Sequence, residues 1–472
     1  MAGSPILNLI TICFYLLLLL NLPKDVISRT LVRYLPGFDG PLPFELETGY
    51  LSVDDRNGVE FFYYFVKSEN NPVEDPLILW LTGGPACSTL TAFAMELGPV
   101  LFKHVKYDGS LPSLEINPYS WTKVSNIIFL DSPVATGFSY SRTPEGYFST
   151  NTLYAKQVTT FLKKWLNDHQ SFISNQLYVG GDSYSGLIVP VVFQDMSDEE
   201  TPFPNLKGYL LGNPVTDRVL EKNSIVPFLR GMGILSYELS KSVENNCGAD
   251  LVNVHPSNVK CIQDLQAVSE CTSGLYDQHI LDLKCVTDSP DHRKLIRDKN
   301  HKILLEENLT DFVLRSPPQE PGFECMSYRR MLSYYWANDN QVQKALNIKQ
   351  GTIKEWVRCS SSSLHYLQDV NSAISYHLNL SEKGRYRSLI YSGDHDMIIT
   401  FMSTEEWIRS LNYAIRDEWR PWLVDDQVAG YTRTYTNNMT FTTVKGGGHI
   451  APEYNPSECF AMVERWLSYE PL

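Results

Sequence analysis

The sequence predicts an α/β fold: a mostly parallel sheet with helices covering both faces. Short apolar runs, each bounded by Gly, Asp or Pro, read as buried strands, and between them the spacing turns helical. A chain of 472 residues, 43% hydrophobic and 20% charged, has the material for a large core. Strands alternating with helices give a parallel sheet buried on both sides.

Along the chain, Ile6 to Leu22 is almost wholly apolar and is followed by Lys24, Asp25 and a small-residue site ending at Ser28. This predicts a secretory signal peptide over residues 1–28, with no stable membrane insertion once it is removed; the rival reading is an uncleaved membrane anchor, for which the apolar run is marginal in length. The strand runs are Phe61–Phe65, Leu77–Leu81, Ile127–Leu130, Leu177–Val179, Leu206–Leu211, Leu389–Tyr391 and Phe441–Val444. Between Thr152 and Asn167 the apolar residues Tyr154, Val158, Phe161, Leu162 and Trp165 share one helical face. Residues 216–330 differ in character, being charged and rich in cysteine. They read as an insertion over the sheet, which divides the core into a first part, 29–215, and a second part, 331–472. Within the insertion, Asp291 to Asn308 is rich in Lys, Arg and His and is a candidate exposed loop open to proteolytic processing.

With 40 Lys+Arg against 54 Asp+Glu, the net charge of −14 argues against a nucleic-acid partner. Beyond Cys13 in the leader, Cys87, Cys247, Cys261, Cys271, Cys285, Cys325, Cys359 and Cys459 form an even set, as expected of disulfides in an oxidising lumen. None are at C-x-x-C spacing, so structural zinc is not expected. Sequons at Asn308, Asn379 and Asn438 agree with passage through the secretory pathway, to the apoplast or a vacuole.

Gly180-Gly-Asp-Ser-Tyr-Ser-Gly186 directly follows a strand and opens an apolar helix, the context of a nucleophile elbow that exposes Ser183. The pentapeptide ends in Ser185 where Gly is usual. After later strands come Ser392-Gly-Asp-His-Asp396 and Lys445-Gly-Gly-Gly-His449, giving the order Ser, Asp, His of an α/β-hydrolase. A serine hydroxyl is a weak nucleophile, so it needs His449 to take its proton, and His449 needs a carboxylate to fix its tautomer. Composition leaves Asp394 and Asp396 both open for that carboxylate. An oxyanion hole requires two backbone N–H groups. Tyr184 supplies one, and Gly84, in Thr82-Gly-Gly-Pro-Ala-Cys-Ser88, is the candidate for the other. No metal or other cofactor is implied.

The chain resembles the serine carboxypeptidase family, and more narrowly its plant carboxypeptidase-like branch. The motifs that carry the resemblance are Trp80–Ser88, Asp131–Tyr140, Gly181–Gly186, Tyr391–Asp396 and Gly446–His449. It implies Asp396 as the catalytic acid. It also implies disulfides Cys87–Cys359, Cys247–Cys261 and Cys285–Cys325, leaving Cys271 and Cys459 unassigned. In carboxypeptidases of the family an Asn and a Glu, where this chain has Thr82 and Asp182, grip the carboxylate of the peptide end. Together with Arg420-Pro-Trp422 and Val428–Thr434, these departures resemble the acyltransferase branch, which takes acyl groups from glucose esters. Ala86 replaces the usual Gly, and its methyl beside the oxyanion loop is expected to narrow the pocket or reduce activity. The resemblance thus implies transfer from a 1-O-acyl-β-glucose donor to an acceptor hydroxyl through an acyl-Ser183. The alternative is a carboxypeptidase acting on peptides; a silent binding protein is a third reading, which an intact triad disfavours.

Overall fold

The structure, a computed structural model, describes residues 28–200, 203, 205–285, 321–360 and 364–472. Its frame is a 12-stranded sheet. Eleven strands form the continuous path: β1 (Ser28–Val32), β2 (Leu46–Asp54), β3 (Val59–Val66), β4 (Leu77–Leu81), β5 (Asn126–Asp131), β6 (Leu177–Asp182), β7 (Leu206–Gly212), β8 (Arg387–Gly393), β9 (Ile415–Val424), β10 (Gln427–Tyr435) and β11 (Met439–Val444). In space the order is β1-β2-β3-β5-β4-β6-β7-β8-β11-β10-β9, and the pair Tyr140–Ser141 joins beside β3. From β5 through β11 every neighbouring pair is parallel, while both ends of the sheet are antiparallel.

The period-2 geometry of a strand explains why the inner runs are apolar throughout: each residue faces one of two cores. In β3, Phe62, Tyr64 and Val66 join the core that includes Trp336, Met462 and Trp466, from the helices Met326–Ala337 and Pro456–Leu467. Phe61, Tyr63 and Phe65 join the other, with Tyr154, Val158, Phe161, Leu162 and Trp165 from the helix Asn151–Asp168. That helix starts where the Thr150 side chain accepts the Leu153 N–H, relieving one unsatisfied donor of its first turn. Each such large buried side chain contributes about 1.5–3 kcal/mol of transfer free energy.

All seven sequence-predicted runs lie in sheet strands. The antiparallel ends were not anticipated, for a physical reason. β9 is mostly exposed and carries Arg416, Asp417, Glu418 and Arg420, so it has no apolar signature. Arg420-Pro-Trp422 and Val428–Thr434 lie on β9 and β10, three and two strands from the strand that leads to Asp396.

The insertion contributes the helices Arg218–Gly231, Tyr237–Cys247 and Val259–Thr272. They share a small core of Val226, Phe228, Leu229, Leu235, Val243 and Val268, against which Met397, Phe401 and Met402 of the main body pack. Cys247–Cys261, Cys285–Cys325 and Cys87–Cys359 are bonded as the resemblance implied, and Cys271 (exposed) and Cys459 (buried) are unbridged. The architecture is an α/β-hydrolase fold with a disulfide-bridged insertion. Among the described residues no helix is long and apolar enough to cross a membrane. Residues 1–27 of the leader, the Asn308 sequon and the 291–308 stretch lie outside the described residues, and Ser28 opens β1.

Candidate active site

β6 ends in the core of the sheet, and the chain must turn sharply from it into the helix Ser185–Asp198. Ser183 makes that turn at φ +52°, in the left-handed region that L-residues avoid. Glycines permit it: a Cβ on Gly181 would come within 2.6 Å of Ser185 Cβ, and one on Gly186 within 2.5 Å of Pro214 Cβ. The backbone is pinned by the Ser183 N–H to Gly212 O (2.9 Å) and by Val215 N–H to Ser183 O (2.8 Å). Ser183 is partly exposed at this strand-to-helix turn, with the positive φ that an elbow requires.

His449 follows β11, and Asp396 follows β8, the strand between β7 and β11. His449 Nε2 lies 2.8 Å from Ser183 Oγ, and His449 Nδ1 lies 2.7 Å from Asp396 Oδ2. Sequence composition left two aspartates open, and the structure separates them. Asp394 instead accepts the Gly446 N–H (2.7 Å) and pairs with His395 Nδ1 (2.6 Å). Asp396 is fully buried and also accepts from Ile398 N–H (2.7 Å) and from Asn213 Nδ2 (2.9 Å). Asn213 was missed in the sequence. Its only signal there is a polar residue at the end of an apolar strand, beside the strand that leads to Asp396.

Burial works against a charged His449, but the Asp396 carboxylate, by charge and by hydrogen bond, and Asp182 together raise its pKa above the usual histidine value. The glycine loop after β4 lies directly against the elbow. A Cβ on Gly83 would come within 2.5 Å of Ser183 Cβ and 2.9 Å of Tyr184 N, so this approach is closed to any other residue. Gly84, at φ +117°, continues the loop towards Cys87. The loop is anchored from behind by the buried Asp131, which accepts from Ser88 Oγ (2.8 Å), Thr89 N (2.9 Å), Thr89 Oγ1 (3.1 Å) and Phe138 N (3.0 Å).

Beside Ser183, Asp182 Oδ1 accepts the Gly83 N–H (2.9 Å), while Asp182 Oδ2 and Thr82 Oγ1 are buried with no hydrogen-bond partner among the described residues. Burial pushes the Asp182 carboxyl up to about 6, against the Gly83 N–H and the His449 charge, which pull it down. Glu96, unnoticed in the sequence, joins this set. Burial raises its pKa well above the usual carboxylate range, and the nearby Asp182 and Glu453 raise it further. Among the described residues no group of three or more His, Cys, Asp or Glu is placed to hold a metal ion.

The profile of the serine carboxypeptidase family matches residues 36–469. The chain belongs to this family. Serine carboxypeptidase-like 19 of Arabidopsis thaliana is 48% identical, over 98% of this chain and 100% of the relative. Serine carboxypeptidase-like 2 of the same plant is 47% identical, over 97% of each chain. Among solved structures, the prohormone-processing carboxypeptidase Kex1 of Saccharomyces cerevisiae superposes with a TM-score of 0.69 at 18% identity, over 93% of this chain and 95% of that one, a likeness of fold.

Ala86, the departure from the usual family Gly, sits at φ +65° and is 1% exposed. Its methyl belongs to the core beneath the sheet's helical face rather than to an open surface. In Ala86→Gly, relief of about 1–2 kcal/mol of left-handed strain is offset by about 0.8 kcal/mol of lost methyl burial and by the added freedom of the unfolded chain. Stability by urea titration should therefore change by less than about 1 kcal/mol, and turnover by less than about twofold.

Proposed function

We propose that the protein is an acyltransferase that moves an acyl group from a 1-O-acyl-β-glucose to an acceptor hydroxyl. The observation that carries the acyl-enzyme chemistry is the continuous relay Ser183 Oγ–His449–Asp396, with links of 2.8 and 2.7 Å. Ser183 Oγ attacks the ester carbonyl, and its proton passes to His449 Nε2. The Gly84 and Tyr184 amides stabilise the oxyanion. As the bond from the acyl carbon to the glucose oxygen breaks, His449 gives its proton to that oxygen and glucose leaves. The acceptor hydroxyl then attacks the acyl-Ser183, losing its proton to His449, and the Ser183 hydroxyl is re-formed as the new ester departs. Asp396 holds the ring by its Nδ1 hydrogen and stabilises the imidazolium.

Thr82 and Asp182 support transfer over peptide cleavage. A Thr hydroxyl lacks the carboxamide of the Asn it replaces, and Asp182 is one methylene shorter than Glu. A site built to bond a chain-end carboxylate discriminates strongly only when those bonds are made. One observation favours the second reading, a serine carboxypeptidase. Glu96 and Asp182, both with raised pKa, can donate hydrogen bonds to a carboxylate in acid. The exposed sequons Asn379 and Asn438 are the proposed glycan sites, in a secreted or vacuolar protein.

The deciding experiment gives the glycosylated protein a panel of acyl glucoses with mixed acceptors and, in parallel, a blocked dipeptide, read by mass spectrometry with Ser183→Ala as control. A Ser183-dependent new ester with release of glucose supports transfer; release of a C-terminal amino acid without transfer refutes it. For a peptide substrate KM should rise as the pH passes through about 6, because ionised Asp182 then repels the substrate carboxylate. Ester cleavage should instead rise with pH as His449 becomes neutral, with a midpoint above the usual histidine value. The pair Thr82→Asn and Asp182→Glu should raise peptidase activity by about tenfold or more, as added bonds of about 1.4 kcal/mol would.

A further inference from the structure

Residues 276–282 of the insertion run beside the two loops that carry Asp396 and His449 and bond to both. Met397 N–H donates to Asp277 O (3.0 Å), His449 N–H to Gln278 O (2.6 Å), and Ile280 N–H to His395 O (3.1 Å). The His279 side chain adds a fourth link. Its Nδ1 accepts the Leu281 N–H (3.2 Å), which leaves the ring hydrogen on Nε2, and Nε2 donates to Gly446 O (3.0 Å). The ring stacks with His395 (centroids 5.7 Å apart, planes at 15°) and meets Tyr454 at a tilt (4.5 Å, 46°).

Gly446 begins the turn that delivers His449, at φ +77°. Its N–H is taken by Asp394 and its carbonyl by His279, so the turn is clamped on both sides. There is no slack between turn and segment: a Cβ on Gly448 would come within 2.7 Å of Gln278 O and of His279 Cδ2. The segment is itself tied down from outside, because Arg330 donates to Gln278 Oε1 (2.9 Å) and to Tyr276 Oη (3.0 Å) while pairing with Glu453 (2.7 Å).

We propose that residues 277–280 of the insertion set the position of the His449 imidazole against Ser183, with His279 as a positioning residue acting through the Gly446 carbonyl. This rests on the reading of Ser183 and His449 as the reacting pair. Proton transfer depends steeply on that geometry, and a misplacement of about 1 Å costs about 10²-fold in rate. The insertion is therefore part of the machinery that aligns the base as well as a cover beside it.

The test uses the full glycosylated protein and the rate at which an organophosphorus reagent labels Ser183, measured against reagent concentration and pH. His279→Phe keeps a ring against His395 and Tyr454 but removes both hydrogen bonds. His279→Gln and His279→Met, close in shape, differ in having and lacking the N–H donor. The expected result is a maximal labelling rate about 10–100-fold lower in the Phe and Met variants. Half-saturation by reagent should be unchanged, and the pH midpoint for labelling displaced. The Gln variant should recover to within about threefold of the parent. Equal maximal rates in the Gln and Met variants, or a Phe variant labelled at the parental rate with the parental pH profile, would overturn the proposal. If the parent protein itself is not labelled at Ser183, the underlying reading of the reacting pair is what fails.

Discussion

Asp396→Asn is expected to lower turnover by about 10⁴-fold with the fold intact. The reason is the count of donors around this carboxylate. Its Oδ1 accepts the Ile398 N–H, and its Oδ2 receives both His449 Nδ1 and Asn213 Nδ2. An amide has one oxygen to offer. If that oxygen stays with Ile398, the new NH₂ faces two donors, and His449 can bond it only by shedding its Nδ1 hydrogen. The ring hydrogen then sits on Nε2, and no lone pair remains there for the Ser183 proton. If the amide turns over, its NH₂ confronts the Ile398 N–H in a fully buried site, a clash worth about 1–3 kcal/mol. The measurement is single-turnover acylation of Ser183 beside the circular-dichroism spectrum. Unchanged acylation with an unchanged spectrum would remove Asp396 from the relay.

The largest stability effect is expected at Arg330. The Arg330 side chain is 5% exposed and that of Glu453 1%, and the two are 2.7 Å apart. Replacing Arg330 with Met strands a buried carboxylate, at a cost of about 3–5 kcal/mol. Gln278 and Tyr276 lose a donor at the same time. Glu453 stands four residues beyond His449, on the short helix Ala451–Tyr454, so the damage falls next to the base. Converting both partners, Arg330→Met with Glu453→Gln, should recover most of the loss, since no uncompensated charge is then buried. Urea titration of the single and double variants measures the difference. A double variant no better than Arg330→Met alone would mean that the cost lies in packing.

The inner sheet was legible because apolar runs such as Leu77–Leu81 have no other use in a chain of this polarity. The elbow was legible because Gly-Asp-Ser-Tyr-Ser-Gly follows such a run. The acid could not be chosen by chemistry alone: Asp394 and Asp396 are two residues apart, both follow β8, and only the chain path decides that one meets His449 and the other Gly446. Asn213 and Glu96 were illegible for a different reason. Each is a single polar residue at the edge of an apolar stretch, and its role depends on partners distant in sequence. The edge hairpin of β9 and β10 is exposed and charged, so nothing in its composition distinguishes it from a loop. The functional weight of the insertion was likewise unreadable, because His449 meets Gln278 through backbone atoms that every residue has.

The distance along the chain between Ser183 and His449 has a consequence for biosynthesis. The two are 266 residues apart, and Asp396 follows β8, which pairs beside β7. Domains emerge from the ribosome N-terminus first, at about 5–20 residues per second. Ser183 is therefore made at least about ten seconds before His449. On the proposed mechanism the serine is during that interval an ordinary alcohol, a weak nucleophile without the base that would take its proton. In the proposed mechanism reactivity is acquired only when the last strand and its following turn close onto the sheet, so the newborn chain passes through its most vulnerable stage chemically silent.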